Sequence, residues 1–370
     1  MVYREGFSLA RRYRLTMALT RPEPSAPPGI RFVGVPFFPK LWQRVLLVHP
    51  RLTWYALRSQ ARLVHLHDPE LIPLGLLLTA LGRTVIWDVH ENTRRQFSAK
   101  KIHGSAFLRF LFIAFDRLAR HYLHLIFAET SYLTDYPKLR KTHAVVLNYA
   151  PLPLLEPFRR NPDTVMVPEF FYIGQLSFAR GLDVLIEACA RLHDEFPDFR
   201  VHLFGAFGFD VFDPAALERV PGFGLAKPHL IFHGYTDARR AFPVAARCLA
   251  GLALPKARGD FPDSYPTKLF EYLALGLPAI VSDFPLYRAV VEPHGCGLCI
   301  DPTSPEALSG TLRFFLENPE ASRRMGKRGR TTAEEHYDWA SQEATLYNFY
   351  GSLLNPPVRT PLSARDFVRE

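Results

Sequence analysis

Cysteine is scarce and poorly placed for cross-linking. The 370-residue chain has four, Cys189, Cys248, Cys296 and Cys299, all in its second half. Cys296 and Cys299 stand at the spacing of a metal knuckle or redox pair, yet no second Cys or His pair lies at zinc-finger distance, so CGLCID is expected to be a buried strand. Long apolar runs are missing too. The longest uncharged one, Leu71 to Gly82, is too short to cross a bilayer, and MVYREGFSLARRYR lacks the apolar centre of a signal peptide. There is no low-complexity tract. These gaps argue against a disulfide scaffold, a membrane span and a secretion leader, and a cytoplasmic location is expected.

What is present fits a globular enzyme: 48% hydrophobic and 22% charged residues, with 32 prolines. The length suits two domains with a sizeable core in each. Charge is uneven. The first 160 residues carry 24 Lys+Arg against 10 Asp+Glu, whereas the remainder carries 21 against 26, so all of the net +9 belongs to the first half. Such a half either faces something anionic, such as a phosphate-bearing lipid, a membrane's inner face or nucleic acid, or simply uses Arg for solubility. No aromatic-basic nucleic-acid motif is found, and nucleic acid is not an expected partner.

Short β-branched or apolar runs alternate with helical patterns, which predicts parallel sheets covered by helices. In the first half, strands are expected at Arg14 to Leu19, Ile30 to Val35, Leu63 to His67, Thr84 to Val89, Leu125 to Ala128 and Ala144 to Leu147, with helices at Lys40 to Ser59 and Glu70 to Leu81. The second half restarts with strands at Phe170 to Ile173, Arg200 to Phe204, His229 to Phe232, Leu249 to Leu254, Ala279 to Ser282 and Leu298 to Ile300. Helices are expected near Leu182 to Phe196, Ala238 to Cys248 and Pro305 to Leu316. The proline-crowded PLPLLEPFRRNPD has little periodicity and suggests a linker. The division expected is residues 1–155 and 167–335 as doubly wound domains, 156–166 between them, and 336–370 returning to the first domain. In SAFLRFLFIAFDRLARHYLHL, Arg109, Arg117 and Arg120 lie on a mostly apolar helix that suits either a membrane interface or a core-facing helix with snorkelling arginines.

The most informative stretch is DSYPTKLFEYLALGLPAIVSD, from Asp263 to Asp283. Pro266 suits the first turn of a helix, Gly276 its C-terminal cap, and Pro278 blocks continuation. Lys268 and Glu271 then stand one turn apart on one face. A helix N-terminus with an added ammonium attracts a diphosphate, and a carboxylate can accept both hydroxyls of a ribose. A surface helix with a solvated charge pair has the same spacing.

YIGQLSFARGLDVLIEA, followed by PTKLFEYLALGLPAIVSD, resembles the second domain of the group 1 (family 4) glycosyltransferases, which have the GT-B fold. VHLHDPELIPLGLLL, VIWDVHEN and VVLNYAP resemble acceptor-domain segments of the branch that makes bacterial surface polysaccharides, so the likeness spans nearly the whole chain. It implies an α/β GT-B protein, two Rossmann-like domains facing across a cleft, and retaining transfer of a sugar from a nucleotide sugar to a glycan or lipid-linked acceptor. By this resemblance the donor set is Gly174, Arg180, Thr267, Lys268, Leu269 and Glu271. Asp263 stands where the family usually has Glu, eight positions before Glu271, and Gln175 near where a second basic residue is usual. Phe204, Gly205, Gly234 and Tyr235 correspond to base-binding segments. His90 matches the family's active-site histidine, and with Asp263 it makes the catalytic pair. His67, Asp68 and Glu91 are structural or acceptor-side residues.

A metal-dependent transferase would hold its cation with an Asp-x-Asp pair, and the chain contains none. Neutralisation of the leaving diphosphate is therefore assigned to Arg180, Lys268 and the helix N-terminus, with no metal or other cofactor. One segment of the resemblance is missing: the usual first strand and its Gly-rich loop. MVYREGFSLARRYRLTMAL resembles only the first helix and second strand, so the leading sheet is expected to lack a central member. That gap keeps open a catalytically weak, nucleotide-binding subunit of a polysaccharide assembly complex. An epimerase of the same fold would not need so basic an acceptor half.

Overall fold

The computed structural model describes residues 2–20, 29–90, 106–161, 163–208 and 214–355. Contacts divide the chain into a first unit (Met1–His90, Gly104–Val146 and Gln342–Glu370) and a second (Glu91–His103 and Leu147–Ser341).

The first unit holds two parallel sheets. β1 (Leu15–Leu19) pairs with β2 (Ile30–Gly34), and β3 (Leu63–Leu66), β4 (Thr84–Val89), β5 (His124–Phe127) and β6 (His143–Val145) follow in that order. Among the described residues no ladder joins the pair to the four, so the expected gap in the leading sheet is real. Side-chain contacts link the two sheets instead. Tyr350, near the end of the Trp339–Leu354 helix, bonds through its hydroxyl to His65 Nδ1 of β3 at 2.7 Å, and its ring lies 5.8 Å from that of Tyr13, just ahead of β1. The helical stretch Val2–Ala10 packs beside β1 and β2, where a Cβ at Gly6 would come 3.3 Å from Met17 Sδ. Tyr347 donates to the Ser8 carbonyl at 2.7 Å, tying the helix Trp339–Leu354 to that stretch.

Alternation along β3 and β4 sorts their side chains. Leu66, Val85, Trp87 and Val89 enter a core shared with Ile72, Leu78, Leu125 and Phe127. Register pairs Leu66 with Trp87, so His65, His67, Asp88 and His90 fall on the opposite face. The Ala106–Tyr122 helix is amphipathic and core-facing in its second half. Arg120 does not snorkel there: it makes a buried 2.7 Å ion pair with Asp116, which also accepts from the Tyr136 hydroxyl at 3.1 Å. Arg117 is exposed.

The second unit is one six-stranded parallel sheet in the order β12-β11-β10-β7-β8-β9. Its strands are β7 (Glu169–Ile173), β8 (Arg200–Phe204), β9 (Leu230–Gly234), β10 (Ala250–Ala253), β11 (Ala279–Ser282) and β12 (Gly297–Ile300). Both faces are covered, as uninterrupted apolar strands such as Ala279–Ser282 require. The segment expected as a linker folds onto this unit. Leu152–Leu155 and Glu156–Phe158 form short turns, Leu152 and Leu155 are buried, and the Arg160 guanidinium bonds to the Ala246 carbonyl at 2.9 Å. All four cysteines are free thiols here; Cys296 is buried and Cys299 lies on β12, as the strand reading of CGLCID anticipates.

Candidate active site

Strand order reverses between β7 and β10, because the chain runs outward through β8 and β9 and then returns to the far side of β7. Ligands of such sheets bind beyond the carboxyl ends of the strands at this point. The ladder between β7 and β10 holds two residue pairs, Phe170–Ala250 and Phe171–Gly251. Beyond it the Tyr272 hydroxyl bridges the parting strands, accepting from the Ile173 amide at 3.3 Å and donating to the Leu252 carbonyl at 3.1 Å. Gly251 admits the ring, since a Cβ there would sit 2.5 Å from it.

Tyr272 belongs to the Thr267–Leu275 helix, which ends at Gly276 with φ 73°. Pro266 takes the cap position (φ −72°, ψ 117°) rather than the first helical turn, and it offers no capping side chain. The Leu269 amide bonds to the Pro266 carbonyl at 2.8 Å, which leaves the amides of Thr267 and Lys268 as first-turn donors without an intrahelical acceptor. Lys268 Nζ lies 3.6 Å from the centroid of the Tyr172 ring and beside Gly174, where a Cβ would be 3.0 Å from the ammonium. Gly174 has φ 131°, so both its conformation and its bare Cα are needed.

Arg180 ends the Phe178–Arg180 turn, its guanidinium 5.2 Å from the centroid of Phe261. Gly181 follows at φ 81°, and a Cβ there would strike the Leu254 carbonyl at 2.6 Å, so the loop from β7 is pressed onto the end of β10. Neither Lys268 nor Arg180 forms an ion pair among the described residues. Burial and the Arg180 charge push the Lys268 ammonium well below its ordinary pKa, with Glu271 opposing them. Two basic side chains gathered at a strand-order reversal make a place for an anion.

Gln175 adds no charge to this group. Its side chain packs against Gly208, where a Cβ would come 2.8 Å from Cδ. Lys268 supplies the second cation instead. Asp263 is exposed at the end of the Phe261–Asp263 turn, and Glu271 lies partly buried one turn after Lys268. Phe204 is covered by His233, their rings parallel at 3.9 Å. Gly205 (φ 153°) touches the loop after β7, where a Cβ would meet the Gly174 carbonyl at 1.8 Å. Gly234 (φ 66°) ends β9, and Tyr235 beyond it is 89% exposed.

The family of glycosyl transferases group 1 matches residues 158–332, which hold all six strands of the second unit's sheet. The D-rhamnosyltransferase WbpZ of Pseudomonas aeruginosa strain PAO1 is 22% identical over 278 residues, covering 73% of this chain and 68% of that protein. Sucrose-phosphate synthase of Thermosynechococcus elongatus superposes with a TM-score of 0.75 at 17% identity, covering 95% of this chain and 92% of that one. HepE of Anabaena, in complex with UDP-glucose, superposes with a TM-score of 0.70 at 14% identity, covering 94% and 95%. Residues 158–332 carry a group 1 glycosyl transferase domain. The chain's fold is GT-B, with Rossmann-like parallel sheets in both units.

This glycosyltransferase also gathers titratable groups in its first unit. Asp88 Oδ2 lies 2.7 Å from His90 Nε2, 3.0 Å from His67 Nδ1 and 3.7 Å from His65 Nε2. The His65 and His67 rings are 4.2 Å apart, and those of His67 and His90 stack at 5.7 Å. Glu5 reaches the same group from the helical stretch Val2–Ala10 and is buried. Burial alone would raise the Asp88 carboxyl, but His67 and His90 overcome it and hold the group below the carboxylate range. Burial would likewise lower His90, and Asp88 reverses the sign. Burial pushes Glu5 up, with Asp88 adding to it, and pushes His65 well down.

Asp68 is exposed after β3, and Glu91 lies outside the described residues. Sequence reasoning missed Glu5, His65, Asp88 and Tyr350. The signal for His65 and Asp88 was His-x-His at the end of β3 and Asp-x-His at the end of β4, two period-2 pairs on adjacent strands. Glu5 and Tyr350, 345 positions apart, left none.

Proposed function

We propose that this group 1 transferase binds a nucleotide sugar at the carboxyl ends of β7 and β10 and passes the sugar, with retention, to a glycan or lipid-linked acceptor. The observation that carries the reading is the convergence of Arg180 and Lys268, two cations without ion-pair partners among the described residues, beside the open first turn of the Thr267–Leu275 helix. UDP-glucose in the HepE complex and the rhamnosyl transfer in the WbpZ name support a nucleotide-sugar donor.

In this reading Glu271 accepts the ribose hydroxyls, and Arg180, Lys268 and the Thr267 amide hold the diphosphate. Gly205, Gly234 and the turns they make, with Phe204 and Tyr235, flank the base, while Asp263 and His90 serve the sugar. As the C1–O bond to phosphate breaks, negative charge grows on the diphosphate, where the two cations already stand. The acceptor oxygen bonds to C1 on the face the phosphate leaves, and its proton passes to a phosphate oxygen. No divalent ion is assigned to this step. The experiment is transfer from a panel of nucleotide sugars, with the product's anomeric configuration read by NMR. Transfer with retention, at full rate without added magnesium or manganese, is expected. Nucleotide binding without turnover would instead favour the non-catalytic subunit, and inversion or a requirement for added metal would overturn the mechanism. Arg180→Ala and Glu271→Ala should each lower turnover at least tenfold, and near-normal rates in both would overturn the site.

Membrane contact belongs to the same reading, through a surface the sequence did not single out. The helical stretch Leu41–Gln43, Arg44–Val48, His49–Arg58 exposes Trp42 (58%), Leu46 (64%) and Trp54 (50%) with Lys40 and Arg51 alongside. Aromatic and aliphatic side chains among bases suit an anionic bilayer surface. Among the described residues no helix is long and apolar enough to cross a membrane.

A further inference from the structure

We propose that Glu5, His65, His67 and Asp88 form a site for one divalent transition-metal ion of the zinc class, held inside the first unit. One nitrogen or oxygen from each of the four lies within 4.8 Å of the other three. In a tetrahedral zinc site neighbouring ligand atoms stand about 3.3 Å apart, given bonds of about 2.0–2.1 Å, so closure would draw the four atoms together by about an ångström.

Three observations point to a ligand. Glu5 Oε2, Asp88 Oδ1 and His65 Nε2 are buried and have no hydrogen-bond partner. Glu5 and Asp88 are 5% and 1% exposed; His67 and His90 lie against Asp88, but Glu5 Oε2 is shut from water beside that carboxylate with no hydrogen-bond partner, a costly arrangement that a cation would relieve. His65 is oriented from behind: its Nδ1 pairs with the Tyr350 hydroxyl at 2.7 Å, which fixes the ring and turns Nε2 toward Asp88 at 3.7 Å. Metal-binding histidines are regularly braced this way through the second nitrogen. Two imidazoles with two carboxylates suit zinc, iron, cobalt or nickel, whereas magnesium and calcium prefer oxygen ligands throughout.

The location gives the ion a task. Glu5 comes from the helical stretch beside the β1–β2 sheet, His65 and His67 from β3 and its end, and Asp88 from β4. No ladder joins the two sheets among the described residues, so a metal bound here would link them where main-chain pairing does not. The residues assigned above to the base, ribose and diphosphate all belong to the second unit, whereas His90, assigned to the sugar, lies 2.7 Å from Asp88 Oδ2 beside this cluster.

The test uses the full-length, tag-free chain. Elemental analysis after gel filtration should find about one zinc, cobalt, nickel or iron per chain. After stripping with a strong chelator, one equivalent of ZnCl2 should raise the unfolding midpoint by about 5 °C, and MgCl2 should not. CoCl2 should give visible d–d absorption of a nitrogen and oxygen site without a thiolate charge-transfer band. Both responses should be lost in His65→Ala and in His67→Ala. His67 is partly exposed, so its variant should remain folded by circular dichroism and decides the matter if His65→Ala does not. Wild-type protein without metal and without a zinc response would overturn the proposal and leave Asp88 balanced by His67 and His90 alone. Unchanged stoichiometry in folded His67→Ala would overturn it as well.

Discussion

Burial and Arg180 both oppose the charge on Lys268, and that opposition is measurable. Its folded-state pKa is depressed, so between that lowered value and the ordinary lysine range the unfolded chain binds the extra proton. Stability of the free protein therefore rises with pH across this window. A bound diphosphate favours the charged ammonium, so affinity for a nucleoside diphosphate should fall across the same window. Calorimetric titration with UDP between pH 7 and 9.5 should show the decline, and Lys268→Met should flatten it while weakening binding about tenfold or more. An unchanged slope in the variant would place the titrating group elsewhere. Gly174 is the residue on which this geometry turns, because both its φ of 131° and the space for Nζ forbid a side chain.

The Thr267–Leu275 helix does two jobs at the element scale. Its first turn offers amides and an ammonium to the ligand, and its second turn sends Tyr272 between β7 and β10 to hold the crevice open. Tyr272→Phe leaves a buried amide and a buried carbonyl without their partner and should cost about 1–3 kcal/mol in urea unfolding of the second unit. Binding of UDP should weaken with it, since the strand ends it sets carry Gly174 and Leu254. A stability unchanged within error would show that neither group depends on the hydroxyl. The Ala106–Tyr122 helix makes the opposite point about legibility. Its apolar stripe suited either a buried face or a membrane interface, and the pattern could not show that Arg120 turns inward, because Asp116 and Tyr136 receive it only once the helix packs.

Over the whole molecule, positive charge and exposed aromatic surface coincide in the first unit. Liposomes containing about one-third anionic lipid should bind the protein in a flotation assay at low salt and release most of it at 0.5 M NaCl. Leu46→Asp with Leu47→Asp should reduce binding several-fold while leaving UDP affinity unchanged. Equal binding to neutral liposomes, or no effect of the substitutions, would remove the membrane from the reading. From Gln342 onward the helix Trp339–Leu354 belongs to the first unit, where Tyr347 donates to the Ser8 carbonyl, so residues 339 positions apart build one fold.

Local pattern alone determined most of the elements. All twelve strands lie within a residue or two of where β-branched runs and turn residues put them, and Gly276 caps the Thr267–Leu275 helix because only glycine takes its φ cheaply. The order of the second-unit motifs, together with their family resemblance, likewise announced the transferase. Tertiary structure alone decided the rest. It made Lys268 the second cation in place of Gln175, turned PLPLLEPFRRNPD from a spacer into packed turns, and covered Phe204 with His233. It also gathered Glu5, His65, His67 and Asp88 into one buried cluster. The physical reason is the same in each case: periodicity fixes which way a side chain points from its own element, whereas what it meets depends on strands and helices tens to hundreds of residues away.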